Sequence, residues 1–253
     1  MRTLRMTLEY DGTNYVGWQR QKNGISVQQR VEEALSAHLG ERITVTAAGR
    51  TDSGVHALGQ VISFTTGSQL EAHAIQRGAF PHLPRDIAIV EGNVAPPGFD
   101  ARRDARLRWY RYFILNRPVA PAVGARYCAH VRFRLDDHKM REACAAFEGH
   151  HDFSAFRAST CTAVRTKLTM LRPEITRLPN DLLMLDFKCR SFLQNMVRIL
   201  AGAIVSAGRG RLSVNEIHEM LASGKRRNEA ATLPPNGLFL YRVLYESEHE
   251  HGR

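Results

Sequence analysis

Leu4 to Tyr10 alternates apolar and polar positions, the period-two pattern of a half-buried strand, and Asp11-Gly12 closes it as a turn. Ser26 then stands as an N-cap before Val27, Val31, Ala34, Leu35 and Leu39, which share one face of a helix that Gly40 stops. Strands are predicted over Ile43–Ala47 and Gln60–Thr65, with a loop of small residues between them. A short helix over Leu70–Phe80 and a strand over Ile87–Asn93 follow. Pro96-Pro97-Gly98 is rigid punctuation.

Beyond it the pattern resumes. Leu107–Leu115 is rich in aromatic and branched residues and predicts a strand, and Asp137–Glu148 predicts a helix. Leu168–Pro173 and Leu182–Cys189 read as strands. A long apolar helix is expected over Phe192–Ala207, closed by Gly208, and Ser213 with Glu216 forms a capping box for a last helix ending near Gly224. Leu238–Tyr245 reads as the final strand. The helices are too few and too short to cover both faces of a parallel sheet, so the expected class is α+β with antiparallel or mixed sheets. The two halves repeat a rough plan of strand, turn, amphipathic helix and further strands. The expected division is residues 1–104, carrying the small-residue loop, and residues 105–253.

Composition narrows the choice of partner. Of 253 residues, 35 are Lys or Arg against 25 Asp or Glu, giving a formal charge of +10 with arginine predominating. Arginine forks match phosphate oxygens, and neutralising phosphates releases counterions, so the excess favours a polyanion. The apolar fraction of 43% suffices for a sizeable core. Cys128, Cys144, Cys161 and Cys189 are too widely spaced for a metal knuckle, and they suggest no disulfide framework. Met1-Arg2-Thr3-Leu4-Arg5 has no secretory pattern, and the apolar stretch 192–207 is too short for a membrane span. A reduced, cytoplasmic protein is the expectation.

The small-residue loop reads Gly49-Arg50-Thr51-Asp52-Ser53-Gly54-Val55-His56-Ala57. Its glycines permit a sharp turn and close approach of a large ligand. Asp52 lies between two potential cations, Arg50 and His56, a setting that favours an ionised carboxylate. A turn aspartate bonding its own backbone is the structural alternative. Arg198 is the one charged residue between Ser191 and Gly208. It lies opposite the stripe Phe192, Met196, Leu200 and Ala203, yet its own side carries Gln194, Asn195, Ala201, Gly202 and Val205, a poor solvent face. A helix this apolar is buried on both sides, and its charge needs a partner. In Trp109-Tyr110-Arg111-Tyr112, alternation puts the two tyrosines on one face. Arg102, Arg103, Arg106, Arg108 and Arg111, interleaved with aromatics, read as a nucleic-acid track.

The nonapeptide resembles the motif of the tRNA pseudouridine synthase A family, Gly-Arg-Thr-Asp-small-Gly-Val-His-Ala, in full. The likeness runs on through Tyr10-Asp11-Gly12-Thr13-Asn14-Tyr15-Val16-Gly17-Trp18-Gln19-Arg20-Gln21, Ser26-Val27-Gln28, Phe99-Asp100-Ala101-Arg102, Arg108-Trp109-Tyr110-Arg111-Tyr112, Asp152-Phe153-Ser154-Ala155-Phe156, Phe192-Leu193-Gln194-Asn195-Met196-Val197-Arg198 and Pro235-Asn236-Gly237-Leu238, covering about residues 4–246. Arg190 stands where such proteins usually carry a small residue, and Asn236 where histidine is common.

The resemblance implies the pseudouridine synthase fold, two similar subdomains with the active-site cleft between them. It implies that Asp52 is the catalytic carboxylate, that Arg198 forms an ion pair with it, and that Arg50 displaces the target nucleotide. It further implies that Tyr110 stacks on the target uracil and that Leu238 packs on the base's other side. The implied reaction is isomerisation of uridine to pseudouridine at positions 38 to 40 of the tRNA anticodon stem-loop, on a nucleotide taken out of its stack. The carboxylate either attacks C1′ or abstracts a proton to give a glycal-like intermediate. No metal or cofactor is implied, since the rearrangement is redox-neutral, and the family is homodimeric. A non-catalytic tRNA-binding protein of the same fold is the alternative. A glycoside hydrolase fits less well, because it needs a second carboxylate roughly 5–10 Å away, and the acidic residues Asp11 and Asp100 sit in turn or linker contexts.

Overall fold

The computed structural model describes residues 1–245. In chain order the main elements are β1 (Arg2–Tyr10), α1 (Val27–Leu39), β2 (Thr46–Ala47), β3 (His56–Thr66), α2 (Ala72–Ala79), β4 (Ile87–Val94), β5 (Leu107–Leu115), β6 (Ala129–His130), α3 (Asp137–Ala146), β7 (Gly149–Asp152), β8 (Lys167–Met170), β9 (Glu174–Arg177), β10 (Leu182–Cys189), α4 (Met196–Gly208), α5 (Val214–Ser223) and β11 (Leu238–Leu244). The class is α+β with mixed sheet pairing. The chain forms two compact units, one of Met1–Arg108 with the chain from Phe239 on, the other of Trp109–Leu238. The last strand thus groups with the first unit, not with its sequence neighbours.

In the first unit the strand order is β4-β1-β3-β11, with β2 on β3. β1 runs antiparallel to β3, pairing Leu4 with Phe64 and Met6 with Ile62, and the register shifts between Leu8 and Tyr10 just before the chain turns. β11 lies parallel to β3, Phe239 beside His56 and Leu240 beside Ala57. Leu4, Met6 and Leu8 alternate into the core, and their strand partners Phe64 and Ile62, like Val31 and Leu35 of α1, are buried too. Helix α1 has the expected limits. The Ser26 hydroxyl accepts from the Gln29 amide, and Gly40 closes the helix in the left-handed region at φ +67°.

In the second unit the order is β5-β10-β8-β7, with β6 parallel to β5 and β9 antiparallel to β10. Helix α3 packs on α4 and α5. The capping box of Ser213 and Glu216 forms as expected, and Gly224 ends α5. Three expectations need correction. The strand expected over Ile43–Ala47 pairs only at Thr46–Ala47. The stretch expected as one strand, Leu168–Pro173, stops at Met170, and the chain pairs again as β9, which lacks apolar alternation. The long helix starts at Met196 and not at Phe192, because Asn195 adopts φ +60°. No helix among the described residues is long and apolar enough to cross a membrane.

Candidate active site

The Asp52 loop begins where β2 ends. Ala48 continues the pairing, its amide donating to Val61 O at 2.8 Å. Two buried side chains then hold the backbone of the turn. The Gln60 amide donates to Gly49 O at 2.7 Å. The Arg108 guanidinium, 8% exposed, donates to Ala48 O through Nη2 at 2.6 Å and Nε at 3.1 Å, and to Arg102 O at 2.7 Å. A guanidinium used this way gathers carbonyls from distant loops and satisfies acceptors that burial strips of water.

The segment after β1 fixes the other side of the loop. Trp18 N donates to Thr51 O at 3.0 Å, and the Ser53 hydroxyl donates to Tyr15 O at 3.1 Å. The Tyr10 phenol lies 2.8 Å from the Thr51 hydroxyl in the core. Burial pushes that phenol well above its ordinary pKa. Gly17 has φ +106°, and a Cβ there would lie 2.7 Å from Thr51 O; one on Gly12 would lie 2.0 Å from Val55 O. These two glycines let one backbone press against another. The chain then enters α1, whose first amides continue the hold: Val27 N donates to Gly17 O, and Gln28 N to Trp18 O. Thr51 is buried, Asp52 half-buried, and Arg50 and Ser53 exposed. A tight turn, Val55 N to Asp52 O at 3.1 Å, completes the loop. Asp52 is thus displayed at the solvent side of a backbone held from beneath.

His56 is 1% exposed and stacks on Phe239 with ring centroids 4.7 Å apart. Its Nδ1 lies 3.1 Å from both Gly12 N and Asp11 Oδ1. The nitrogen has one role at a time: unprotonated it accepts from the Gly12 amide, protonated it pairs with Asp11. In either state His56 joins the turn after β1 to the start of β3.

The remaining sequence-predicted residues belong to the second unit. Arg198 sits in the first turn of α4, and from Met196 to Gly208 every other residue of that helix is buried. Its Nε donates to Leu233 O at 2.7 Å and Nη1 to Asn195 Oδ1 at 2.9 Å, while Leu233 N returns a bond to Arg198 O. The left-handed Asn195 that delays the helix also supplies one of these acceptors. Tyr110 and Tyr112 face inward as alternation requires. Tyr110 is 7% exposed and meets Phe192 edge-to-face at 5.1 Å, and the Tyr112 hydroxyl donates to Pro234 O. Leu238, 4% exposed, opens β11 directly after Gly237, where a Cβ would lie 2.6 Å from Phe113 O. Asn236 donates to Ala125 O and Cys128 O and so ties down the Ala125–Cys128 segment.

The arginine-rich segment divides by role. Arg102 and Arg106 are exposed, but Arg103 pairs with Asp104, and Arg111 pairs with Asp186 at 2.9 Å and lies over the Trp109 ring. Arg108 is the carbonyl clamp described above. The predicted nucleic-acid track is therefore partly scaffold. The sequence reading also missed Gln60 and the Tyr10–Thr51 contact. The signal for Arg108 was present: it shares strand parity with Tyr110 and Tyr112, the inward side. Among the described residues no group of three or more His, Cys, Asp or Glu is placed to hold a metal ion.

Comparison with known proteins follows the same lines. A family model described as tRNA pseudouridine synthase matches residues 6–102 and 143–246. The tRNA pseudouridine synthase A of Pelobacter propionicus is 45% identical over 245 residues, 97% of this chain and 100% of the relative. That of Syntrophotalea carbinolica is 43% identical, covering 97% of each chain. That of Thermoanaerobacter sp. is 36% identical over 97% of this chain and 100% of the relative.

Proposed function

Since the chain belongs to the tRNA pseudouridine synthase family, we propose that the loop displaying Asp52 is its catalytic centre. The protein is an isomerase that converts uridine to pseudouridine in tRNA. The observation that carries the assignment of Asp52 is the hold on its backbone: Tyr10, Tyr15, Trp18, Gln60 and Arg108 fix the loop while the carboxylate stays within reach of solvent. A reacting group held to within a fraction of an ångström by buried neighbours is what catalysis by positioning requires.

In the proposed reaction Asp52 acts on the ribose of a flipped-out uridine. It either forms a bond to C1′ or removes a sugar proton. The N1–C1′ bond breaks and the uracil turns. C5 then bonds to C1′ as the Asp52–C1′ bond breaks or, on the other route, as the sugar proton is returned, and the C5 proton leaves as N1 gains one. The resemblance supports Arg198 as the ion-pair partner of the carboxylate. Such a pair keeps the carboxylate ionised and fixes its rotamer. Tyr110 stacks on the uracil, Leu238 packs on the base's other side, and exposed Arg50 takes the gap left by the displaced nucleotide. The resemblance further supports positions 38, 39 and 40 of the anticodon stem-loop as targets, a homodimer as the working form, and the cytoplasm, where tRNA is processed, as its place.

The test is release of tritium from C5-labelled tRNA. The wild-type protein is expected to release it. Asp52→Ala is expected to stop release while retaining tRNA binding, and an active Asp52→Ala protein would overturn the assignment. Mapping the modified positions in tRNA from cells lacking the protein decides between positions 38, 39 and 40, and light scattering decides the oligomeric state.

A further inference from the structure

The far end of α4 carries charge that the proposed catalytic chemistry does not use. Arg209, which caps the helix, lies with its guanidinium 4.0 Å from the centre of the Phe133 ring, and Arg132 lies 4.7 Å from the same centre. Phe133 is 42% exposed, and Arg132, Arg134 and Arg211 are exposed around it. Among the described residues none of these four arginines has a carboxylate within ion-pair distance. Desolvation first, and then the neighbouring Arg211 and Arg132, lower the Arg209 pKa.

Beside them opens a cleft of about 900 Å³ into which Arg117, Arg132 and Arg134 also face. Its two carboxylates are already engaged. Asp136 caps α3 by accepting from the His138 and Lys139 amides, and Asp137 is paired with Arg177 at 2.6 Å. Against Arg117, Arg132, Arg134, Arg209 and Arg211 stands the one charge of Asp136, so the patch keeps a net positive charge.

Crowding arginines with too little counter-charge destabilises the free protein, and Phe133, still 42% exposed beside two guanidinium groups, keeps apolar surface in water. Both costs are relieved by an extended polyanion that has flat groups to stack. We propose that Arg132, Phe133, Arg134, Arg209 and Arg211 form an RNA-contact surface, separate from the base-binding residues, that grips the sugar-phosphate backbone of the tRNA. The proposal rests on the tRNA reading above. It also has a length scale. Arg198 and Arg209 stand at opposite ends of one helix, about 16 Å apart along its axis at 1.5 Å per residue. RNA gripped here lies several nucleotides from the reacting uridine, so the surface reads tRNA beyond the target base.

The test is the salt dependence of tRNA binding by the full chain. One variant carries Arg132→Gln, Arg134→Gln and Arg209→Gln. A second carries only the exposed pair Arg134→Gln and Arg211→Gln, and remains informative if the first fails to fold. Tritium release by wild-type protein is measured first, since its absence sinks the tRNA reading itself, independently of the patch. At about 0.1 M salt the triple variant is expected to bind tRNA roughly tenfold more weakly, and the slope of log K against log salt to become shallower by roughly one for each phosphate no longer neutralised. Wild-type affinity and slope in the folded variants overturn the proposal. Weaker binding at an unchanged slope overturns it too, because the substituted arginines then neutralise no phosphates in the wild-type complex.

Discussion

The Tyr10 phenol oxygen lies 2.8 Å from the Thr51 hydroxyl, tying the end of the first strand to the residue before Asp52. Both groups are buried, and replacing Tyr10 by Phe leaves the threonine hydroxyl without this partner. The expected cost is about 1–2 kcal/mol, a fall in Tm of roughly 2–8 °C. Activity is expected to fall while tRNA affinity holds, because the substitution loosens the residue next to the carboxylate. Thermal melts and tritium-release kinetics on one preparation check both, and an unchanged Tm would show that the bond contributes nothing.

Buried phenols also set an alkaline limit. Burial raises the pKa of Tyr10 and of Tyr112 well above the ordinary 10.0. The unfolded chain releases these protons near pH 10, while the folded chain keeps them. Their contribution is therefore full below that pH and declines as pH rises above it, each phenol adding a slope of roughly 1.4 kcal/mol per pH unit. Urea midpoints between pH 8 and 11 are expected to fall steeply past 10, and less steeply in Tyr10→Phe. Parallel curves for the two proteins would refute the sign argued here.

Gly17 and Gly40 share a left-handed backbone but differ in what surrounds them. A Cβ on Gly17 meets Thr51 O at 2.7 Å, whereas a Cβ on Gly40 meets nothing within 4 Å. Gly40→Ala is expected to cost only backbone strain, about 1–2 kcal/mol, with activity intact. Gly17→Ala adds displacement of the Asp52 loop and is expected to lower kcat roughly 10²-fold. Equal kinetics in the two variants would show that the Gly17 contact does not position Asp52.

Arg198 spends its Nε on Leu233 O and Nη1 on Asn195 Oδ1. A lysine ammonium cannot hold both acceptors and also present a planar fork. Arg198→Lys is expected to cut kcat/KM by roughly 10²-fold while far-UV circular dichroism stays that of the wild type. Near wild-type turnover would remove Arg198 from the mechanism.

The legible parts of this fold were the local ones. Ser26 with Gly40 and Ser213 with Glu216 declare helix ends through contacts three or four residues apart, and the structure has those ends. The candidate site was legible as a motif, yet the parts that hold it act through space. Gly12 and Gly17 matter because of Val55 and Thr51, more than thirty residues away, and Arg108 because of Ala48 O. Hydrophobic periodicity carries no record of such pairings. It also misplaced the start of α4, since it cannot register that one asparagine takes φ +60°.

The pairing of Phe239 with His56 sets an order of assembly. During synthesis the strands β1, β3 and β4 emerge early, but the parallel neighbour of β3 emerges only after the whole Trp109–Leu238 unit has been made. Until then the edge of β3 beside the Asp52 loop lacks β11, and the His56 ring has no Phe239 to stack on. A nascent or prematurely ended chain thus holds the Asp52 motif in full but not its finished support. The Asp52 loop gains its last neighbour only when translation has passed β11.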